Sequence, residues 1–361
     1  MKKLFLAMTV SALCLLSSCG KEVIIEESVE NVESVPKPQV HTASPVAEAF
    51  KAVLLNEETF SCTDRIPYEN MDIMQQYDGY LSEILIDGNP MVTPQFAIVD
   101  LDGDTVPEVV LEIGDYYGFV VLRYREGEVT GNIVGYRTMY NLKEDGTFDS
   151  SGSSSDDFMG KMIFVGDTFI TSDKMHFFYS SLYIHDVLVT QETWDEYKAA
   201  YDATPSVAWH EFSEDSIEQW LGDESFFTEI PEVTMELVNE RQNCLDSLSY
   251  LIDLTYNYTK KSQEEFNTDA KSYYDGCNEE LTRIYELCEE RLSEDEFEAL
   301  NTDQQRWQES VDQRLVEDLS SYQVNSIEEL ENKTLYFTYG DIVLRRTVRL
   351  MNLYYDNHFY E

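Results

Sequence analysis

The sequence predicts an α+β region followed by an all-α antiparallel helical bundle. Between residues 46 and 225, β-rich runs are separated by Gly, Asp and Asn turn signals, a pattern typical of an antiparallel β meander with flanking helices. From about residue 231 the apolar residues recur every three or four positions, which is the period of amphipathic helices. With 43% hydrophobic and 13% aromatic residues, the 361-residue chain can bury a core in each region.

In the α+β region, residues 46–225, the first predicted element is a helix over residues 46–55. The predicted strands span residues 95–100, 108–113, 119–124, 129–136, 162–171 and 177–184. Two short helices follow, over residues 193–201 and 216–221. The Ser-rich tract 150–155 is expected to be a loop over the sheet, because small polar residues cluster there between β-rich runs.

The helical region, residues 231–361, begins with a predicted helix whose apolar face extends from Leu237 to Tyr256. Two further helices begin at capping boxes, in which a Ser and the Glu three residues later cap each other's backbone N–H groups. The two boxes are Ser262 with Glu265 and Ser293 with Glu296. A last helix, with Asp341 as its predicted N-cap, completes a bundle in which short turns make neighbouring helices antiparallel.

Residues 1–18 have the pattern of a targeting segment. Lys2 and Lys3 precede an apolar run over residues 4–16, which is shorter than the roughly 20 residues of a membrane span. The run ends in Leu-Ser-Ser-Cys, which resembles a bacterial lipobox, so residues 1–18 are predicted to be a lipoprotein signal peptide. Cys19 is therefore predicted to be diacylated, with the chain cleaved just before it. The alternative is an ordinary secretory signal with an incidental cysteine.

Residues 19–45 are predicted to be a tether, because they are acidic, rich in Ser, Val and Pro, and free of apolar periodicity. Together with the lipid on Cys19, this segment would hold the protein on the extracytoplasmic face of the cell membrane. The predicted partner of the N-terminus is thus the membrane, through its lipid anchor.

The charge of the chain excludes some functions. The chain has 70 acidic and 25 basic residues, for a net charge of −45, so it repels phosphate backbones, and nucleic-acid binding is excluded. Its five histidines have no metal-site spacing, and the sequence has no nucleophile elbow, phosphate-binding loop or dinucleotide fingerprint. The sequence therefore predicts a protein that is not an enzyme.

An acidic loop between two predicted strands offers a set of oxygen ligands. Its candidate metal ligands are Asp100, Asp102, Asp104, the Val106 carbonyl and Glu108. Alternate acidic side chains around a tight turn can surround a hard cation, so the loop predicts a Ca²⁺ site.

Two interpretations of this loop stay open. The loop is not an EF-hand, because Thr105 stands where that motif has Gly and strands flank it. It resembles the strand-loop-strand calcium loops of FG-GAP-type repeats, present here once. The alternative is that Asp and Gly simply make a hairpin turn and leave the charges solvated.

Two cysteines of the helical region are candidates for a disulfide. An antiparallel turn centred near residue 260 would place Cys244 opposite Cys277, and an exported chain can form such a bond. Free thiols that pack as small hydrophobic groups are the alternative.

The helical region contains a set of motif residues on neighbouring predicted helices. They lie in the stretch 274–281, Ile284-Tyr285, Gln304-Gln305-Arg306-Trp307 and Arg346-Thr347. With these stretches the region resembles the lysozyme-inhibitor LprI-like family. The motif positions are Asp275, Leu281, Tyr285, Gln304, Trp307 and Arg346. Several of them lie on or beside the apolar stripes, so a packing role is predicted for them.

The resemblance implies inhibition of a lysozyme-like muramidase, a basic protein that an acidic chain would attract. The function predicted from the sequence is therefore a lipid-anchored binding or interaction module, with muramidase inhibition as the implied activity. The alternative is a calcium-stabilised envelope protein with a structural or adhesion role and no inhibitor activity. A hydrolase using paired carboxylates and a solute-binding lipoprotein are further classes, which the sequence favours less.

Overall fold

A strand-rich region precedes a region of long helices, and this confirms the predicted fold class. The computed structural model describes residues 44–68, 71–85, 94–114, 118–153, 156–178, 181–222, 227, 232–255 and 261–356. The predicted signal peptide, Cys19 and most of the predicted tether lie outside these residues. Residues 43–361 belong to one compact unit, so strands and helices share contacts. Among the described residues, no helix is both long and apolar enough to cross a membrane.

The strands are β1 Phe60–Tyr68, β2 Met71–Gly79, β3 Gln95–Val99, β4 Glu108–Gly114, β5 Gly118–Arg125, β6 Glu128–Val134, β7 Phe148–Ser153, β8 Asp156–Val165, β9 Thr168–Phe178, β10 Ser181–Ile184, β11 Val187–Leu188 and β12 His210–Glu211. The helices are α1 Pro45–Leu54, α2 Leu81–Leu85, α3 Gln191–Ala203, α4 Glu214–Leu221, α5 Glu232–Asp246, α6 Ser249–Leu254, α7 Gln263–Arg291, α8 Glu294–Ser321 and α9 Thr334–Asp356.

The described strands form two sheets. Sheet A has the order β12-β3-β4-β5-β6-β1-β2, and sheet B has the order β11-β10-β9-β8-β7. Neighbouring strands are antiparallel except for β1, which runs parallel to β6. The predicted meander is therefore two stacked sheets rather than one.

The two sheets lie between helices on both sides. In β3, Phe96 and Ile98 pack toward α1 and α4, whereas Ala97 and Val99 pack toward sheet B. In β8, Met162 and Phe164 pack toward sheet A, and the alternate residues Ile163 and Val165 pack against the long helices. This alternation of faces along each strand stacks four layers: short helices, sheet A, sheet B and the bundle.

Some predicted strands were wrong in detail. The run 162–171 is the end of β8, a turn at Gly166 and the start of β9, and the run 177–184 likewise covers parts of β9 and β10. Apolar residues lie on both sides of Gly166-Asp167, and the predicted strand 162–171 runs through this pair although a Gly-Asp pair between β-rich runs is a turn signal. The tract 150–155 was also assigned wrongly, because residues up to Ser153 belong to β7, paired with β8. Strands β1 and β2 were not predicted.

The helix starts confirm both capping boxes. Ser262 and Glu265 cap α7 reciprocally, and Ser293 and Glu296 cap α8 in the same way. The predicted N-cap of the last helix is wrong, because α9 begins at Thr334 and Asp341 lies inside it. The predicted first helix is broken between α5 and α6.

The packing of α5 and α6 against α7 determines whether Cys244 and Cys277 can form a disulfide. Leu251 of α6 lies against Gly276 of α7. Cys244 lies seven residues before Leu251 and therefore contacts Arg283, seven residues after Gly276: the Cys244 Sγ is 3.7 Å from Nη2 of Arg283. Arg283 is six residues, or about 9 Å along a helix, beyond Cys277. The structure therefore does not form the disulfide considered for Cys244 and Cys277, and both are free thiols.

Candidate metal centre

The acidic loop joins β3 and β4, two antiparallel inner strands of sheet A. Val99 pairs with Glu108, so both ends of the loop are fixed by the strand register. Gly146 supports the loop from outside. A Cβ on Gly146 would lie 2.1 Å from the Asp100 carbonyl oxygen, so only glycine fits this close approach.

Backbone N–H groups orient the carboxylates of the loop. Asp100 accepts hydrogen bonds from the N–H groups of Gly103 (2.7 Å), Asp104 (3.2 Å) and Thr105 (3.0 Å). Asp102 accepts from the N–H of Asp104 at 3.0 Å. These bonds within the turn fix the directions of the carboxylate oxygens.

The end of the loop is held in the same way. Asp104 Oδ1 accepts from the N–H of Val106 at 2.7 Å, and Glu108 Oε2 accepts from the N–H of Leu101 at 2.8 Å. Thr105 has φ +74°, the left-handed conformation that glycine adopts in calcium loops. The loop therefore takes this turn even with a β-branched residue at the strained position.

The structure brings together three of the predicted metal ligands. One carboxylate oxygen each from Asp100, Asp102 and Glu108 lie within 4.8 Å of one another. Asp104 and Val106, the other two predicted ligands, line a small cavity of about 30 Å³ that Asp102 and Glu108 also line. Such a volume can hold one water molecule or one ion.

The carboxylates of the loop crowd one another away from water. Burial, followed by the charges of Asp102 and Asp104, raises the pKa of Glu108 well above its usual value. Partial burial and the charges of Asp102 and Asp100 do the same to the pKa of Asp104. Burial raises the pKa of Asp100 as well, with a further contribution from Asp102. A cation at this place would relieve the repulsion.

One cation is supplied by the chain itself. Arg241 of α5 lies against the loop, with Nη1 3.4 Å from Asp102 Oδ2 and Nη2 donating to the Asp102 carbonyl oxygen at 2.9 Å. The side chains of this pair are only 2% and 1% exposed. Arg241 also donates to Asn352 Oδ1 of α9 from Nε (3.2 Å) and Nη2 (3.1 Å). The guanidinium thus joins the loop to two helices.

Sequence reasoning missed Arg241. A signal for it exists, because Arg241 is the one basic residue between Lys198 and Lys260 in a strongly acidic stretch. A lone arginine on an amphipathic helix points to a specific acidic partner. Its partner, 139 positions away, is found only in the folded chain.

Further polar contacts fix α5 on the sheets. Asp246 accepts hydrogen bonds from the N–H of Gly166 (2.8 Å) and from Gln242 Nε2 (2.7 Å), and it pairs with Arg125 of β5. Gln242 Nε2 also donates to the Phe164 carbonyl oxygen at 3.2 Å. The helix that carries Arg241 is therefore held in place independently of the acidic loop.

Three of the family-motif positions meet in the bundle. Arg346 of α9 donates from Nε to Gln304 Oε1 at 2.8 Å, and its guanidinium carbon lies 5.6 Å from the centre of the Trp307 ring. Arg346 also pairs with Asp303 at 2.7 Å. Trp307 and Arg346 are buried. The predicted packing role agrees with this cluster.

The other three motif positions lie apart from that cluster. Leu281 is buried in the bundle core. Tyr285 donates to Asn301 Oδ1 of α8, and exposed Asp275 pairs with Lys271 one helical turn away. The motif is therefore a set of contacts between helices and not one surface site.

Compared with family models, with curated proteins and with solved structures, the chain matches none. The LprI-like resemblance thus stays a prediction from the motif positions. The chemistry of the acidic loop is the stronger guide to function, because its geometry is fixed by the described hydrogen bonds.

Proposed function

We propose that this chain is a lipid-anchored extracytoplasmic interaction module in which Ca²⁺ bound to the acidic loop stabilises the contact between the sheets and the helices. The observation that carries the proposal is the convergence of Asp100, Asp102 and Glu108 within 4.8 Å, beside an ion-sized cavity. Asp102 reaches the helices through Arg241, so an ion that orders the loop also orders this contact.

The donor set favours calcium over other metals. All candidate ligands are carboxylate or carbonyl oxygens, which suit hard cations, and the loop offers no thiol or imidazole for zinc or copper. Magnesium requires near-ideal octahedral geometry and keeps most of its water. A loop of irregular carboxylate spacing therefore fits the flexible coordination of calcium better.

The test is the thermal unfolding of the full chain in calcium and in a calcium chelator. At free calcium 100 times the dissociation constant, binding adds about 2.7 kcal/mol of stability, which raises Tm by several degrees. Asp104→Asn and Glu108→Gln should abolish the calcium-dependent shift. Asp102 is left intact in these variants because its loss would also break the pair with Arg241.

Glu196→Gln is the matched control, since Glu196 lies exposed on α3, outside the loop. It should keep the full calcium-dependent shift. If the unmodified chain melts at the same temperature with calcium and with chelator, the loop is a bare turn and the calcium proposal fails.

A second candidate, muramidase inhibition, is supported by two observations. Gln304, Trp307 and Arg346 converge, which agrees with an LprI-like bundle. Residues 226–361 also carry 12 basic and 30 acidic side chains, a balance that attracts a basic enzyme.

The full chain, added at micromolar concentration to a basic lysozyme acting on bacterial cell walls, should slow lysis. Inhibition should weaken as salt is raised, because screening shortens the reach of surface charges to about 8 Å at physiological ionic strength. Unchanged lysis would remove the inhibitor activity and leave the structural or adhesion role.

A further inference from the structure

A second cavity lies between sheet B and the helical bundle. Its volume is about 380 Å³, which falls in the usual range for small-molecule sites. No residue of the acidic loop lines this cavity, so it is separate from the proposed calcium site. We call it the slot.

Apolar side chains line the slot on two sides. Phe158 of β8 and Ile170 of β9 line the sheet side. Ile252 of α6, Phe337 of α9 and Leu344 of α9 line the helix side. Such walls remove the apolar side chains of a ligand from water.

The lining of the slot extends along β8. Two lining residues mark this length. Thr171 of β9 lies opposite Met162 of β8, and Phe158 lies four residues before Met162 on β8. Four strand residues span about 13 Å. A fully extended peptide advances at most about 3.6 Å per residue, so three residues fit this length.

Charged groups of both signs line the slot: Arg137, Asp341 and Arg345. Arg345 forms a salt bridge with Asp186 at 2.6 Å, so its charge is balanced within the chain. Arg137 is exposed and donates from Nη2 to Ser151 Oγ at 3.1 Å, which holds its guanidinium beside β7. Asp341 of α9 is also exposed and accepts from the Tyr273 hydroxyl at 2.6 Å, which orients its carboxylate. A guanidinium fork matches a carboxylate, and a carboxylate can accept several hydrogen bonds, including those of an ammonium group.

We propose that the slot binds a short peptide of about three residues with both termini free. The C-terminal carboxylate is held by Arg137, the N-terminal ammonium by Asp341, and apolar side chains lie against the two walls. A zwitterion carries no net charge, so the net charge of −45 does not repel it as it would an anion.

The experiment is calorimetric titration of the full chain, purified in detergent, with Ala-Leu-Ala. Two matched probes each lack one terminal charge: the C-amidated and the N-acetylated tripeptide. Amidation should weaken binding to the unmodified chain by about tenfold or more, and acetylation should do the same, because each removes a charge-assisted contact.

Two variants show which side chain contacts which terminus of the peptide. In Arg137→Gln, amidation of the peptide should change the affinity by less than about twofold, and in Asp341→Asn the same should hold for acetylation. Asp341→Asn keeps an oxygen that can accept from Tyr273, so the fold should be retained. Lys271→Gln, at an exposed position of α7 outside the slot, is the control and should behave as the unmodified chain.

Several results would overturn the proposal. These are the absence of binding at about 1 mM tripeptide, equal affinity for the charged and blocked peptides, or variants that stay as sensitive to blocking as the unmodified chain. Binding of a disaccharide such as di-N-acetylchitobiose in place of the peptide would make the slot a saccharide site. A far-UV circular dichroism spectrum for each variant shows that it is folded.

Discussion

Replacing Arg241 by Met tests whether the buried ion pair holds the acidic loop to the helices. The change keeps much of the side-chain length but leaves the buried carboxylate of Asp102 without the guanidinium. Removing one partner of a buried pair typically costs roughly 3–5 kcal/mol, because the other charge stays buried. The variant also loses the hydrogen bonds to Asn352 Oδ1 and to the Asp102 carbonyl oxygen. We therefore expect a loss of about 3–5 kcal/mol.

The assay is urea unfolding of the full chain, followed by tryptophan fluorescence and by far-UV circular dichroism. Trp307 reports on the helices, whereas Trp194 and Trp220 lie on helices beside the sheets, so the two regions are followed together. Arg283→Met is the matched control. Arg283 is exposed; it pairs with the half-buried Glu280 one turn away and lies 3.7 Å from Cys244 Sγ. A pair near the surface contributes about 0–1 kcal/mol.

The double variant Arg241→Met/Asp102→Asn distinguishes the cost of the unpaired buried charge from the cost of lost side-chain packing. Removing the second charge takes away the buried unpaired carboxylate, so the double variant should be more stable than Arg241→Met alone by roughly 1–3 kcal/mol. If Arg241→Met lowered the free energy of unfolding by less than about 1 kcal/mol, as expected for Arg283→Met, the buried pair would not hold the loop to the helices. A double variant whose losses simply add would contradict this role of the pair as well.

Three further predictions concern other parts of the chain. Cys19→Ala should leave the precursor uncleaved and unlabelled by a fatty-acid probe, and unchanged labelling would contradict lipidation. Burial lowers the pKa of His176 to about 3, whereas the unfolded chain protonates it near pH 6.5. The unfolded state therefore binds more protons between these values, and stability should fall by about 1.4 kcal/mol per unit as the pH drops below 6.5. In urea unfolding, His176→Phe should therefore reduce the change of the unfolding free energy with pH between pH 7 and about pH 5. An unchanged pH dependence would contradict a lowered pKa of His176. Trp307→Ala should lower the free energy of unfolding by about 3–5 kcal/mol through the cavity it leaves, and a loss under about 1 kcal/mol would contradict its core role.

Local signals in the sequence determined the local structure. The capping boxes at Ser262 and Ser293 start α7 and α8, because a cap is made by side chains and backbone groups three residues apart. The acidic loop was recognised for the same reason, since its carboxylates bond to backbone groups within the loop. The turn between β8 and β9 has a local signal as well, Gly166-Asp167, but the predicted strand 162–171 runs through it because apolar residues lie on both sides.

Only the tertiary structure decided which distant groups meet. The register of α6 on α7 follows from packing of Leu251 against Gly276, and it places Arg283 rather than Cys277 beside Cys244. The partner of Asp102 is Arg241, which the sequence separates from it by 139 positions. Neither contact has a local pattern, because both depend on how whole elements bury their apolar faces. Interactions between neighbouring residues therefore determined where the helices begin and how the carboxylates of the acidic loop are oriented. The burial of apolar faces between distant elements decided that the Arg241 guanidinium lies beside Asp102.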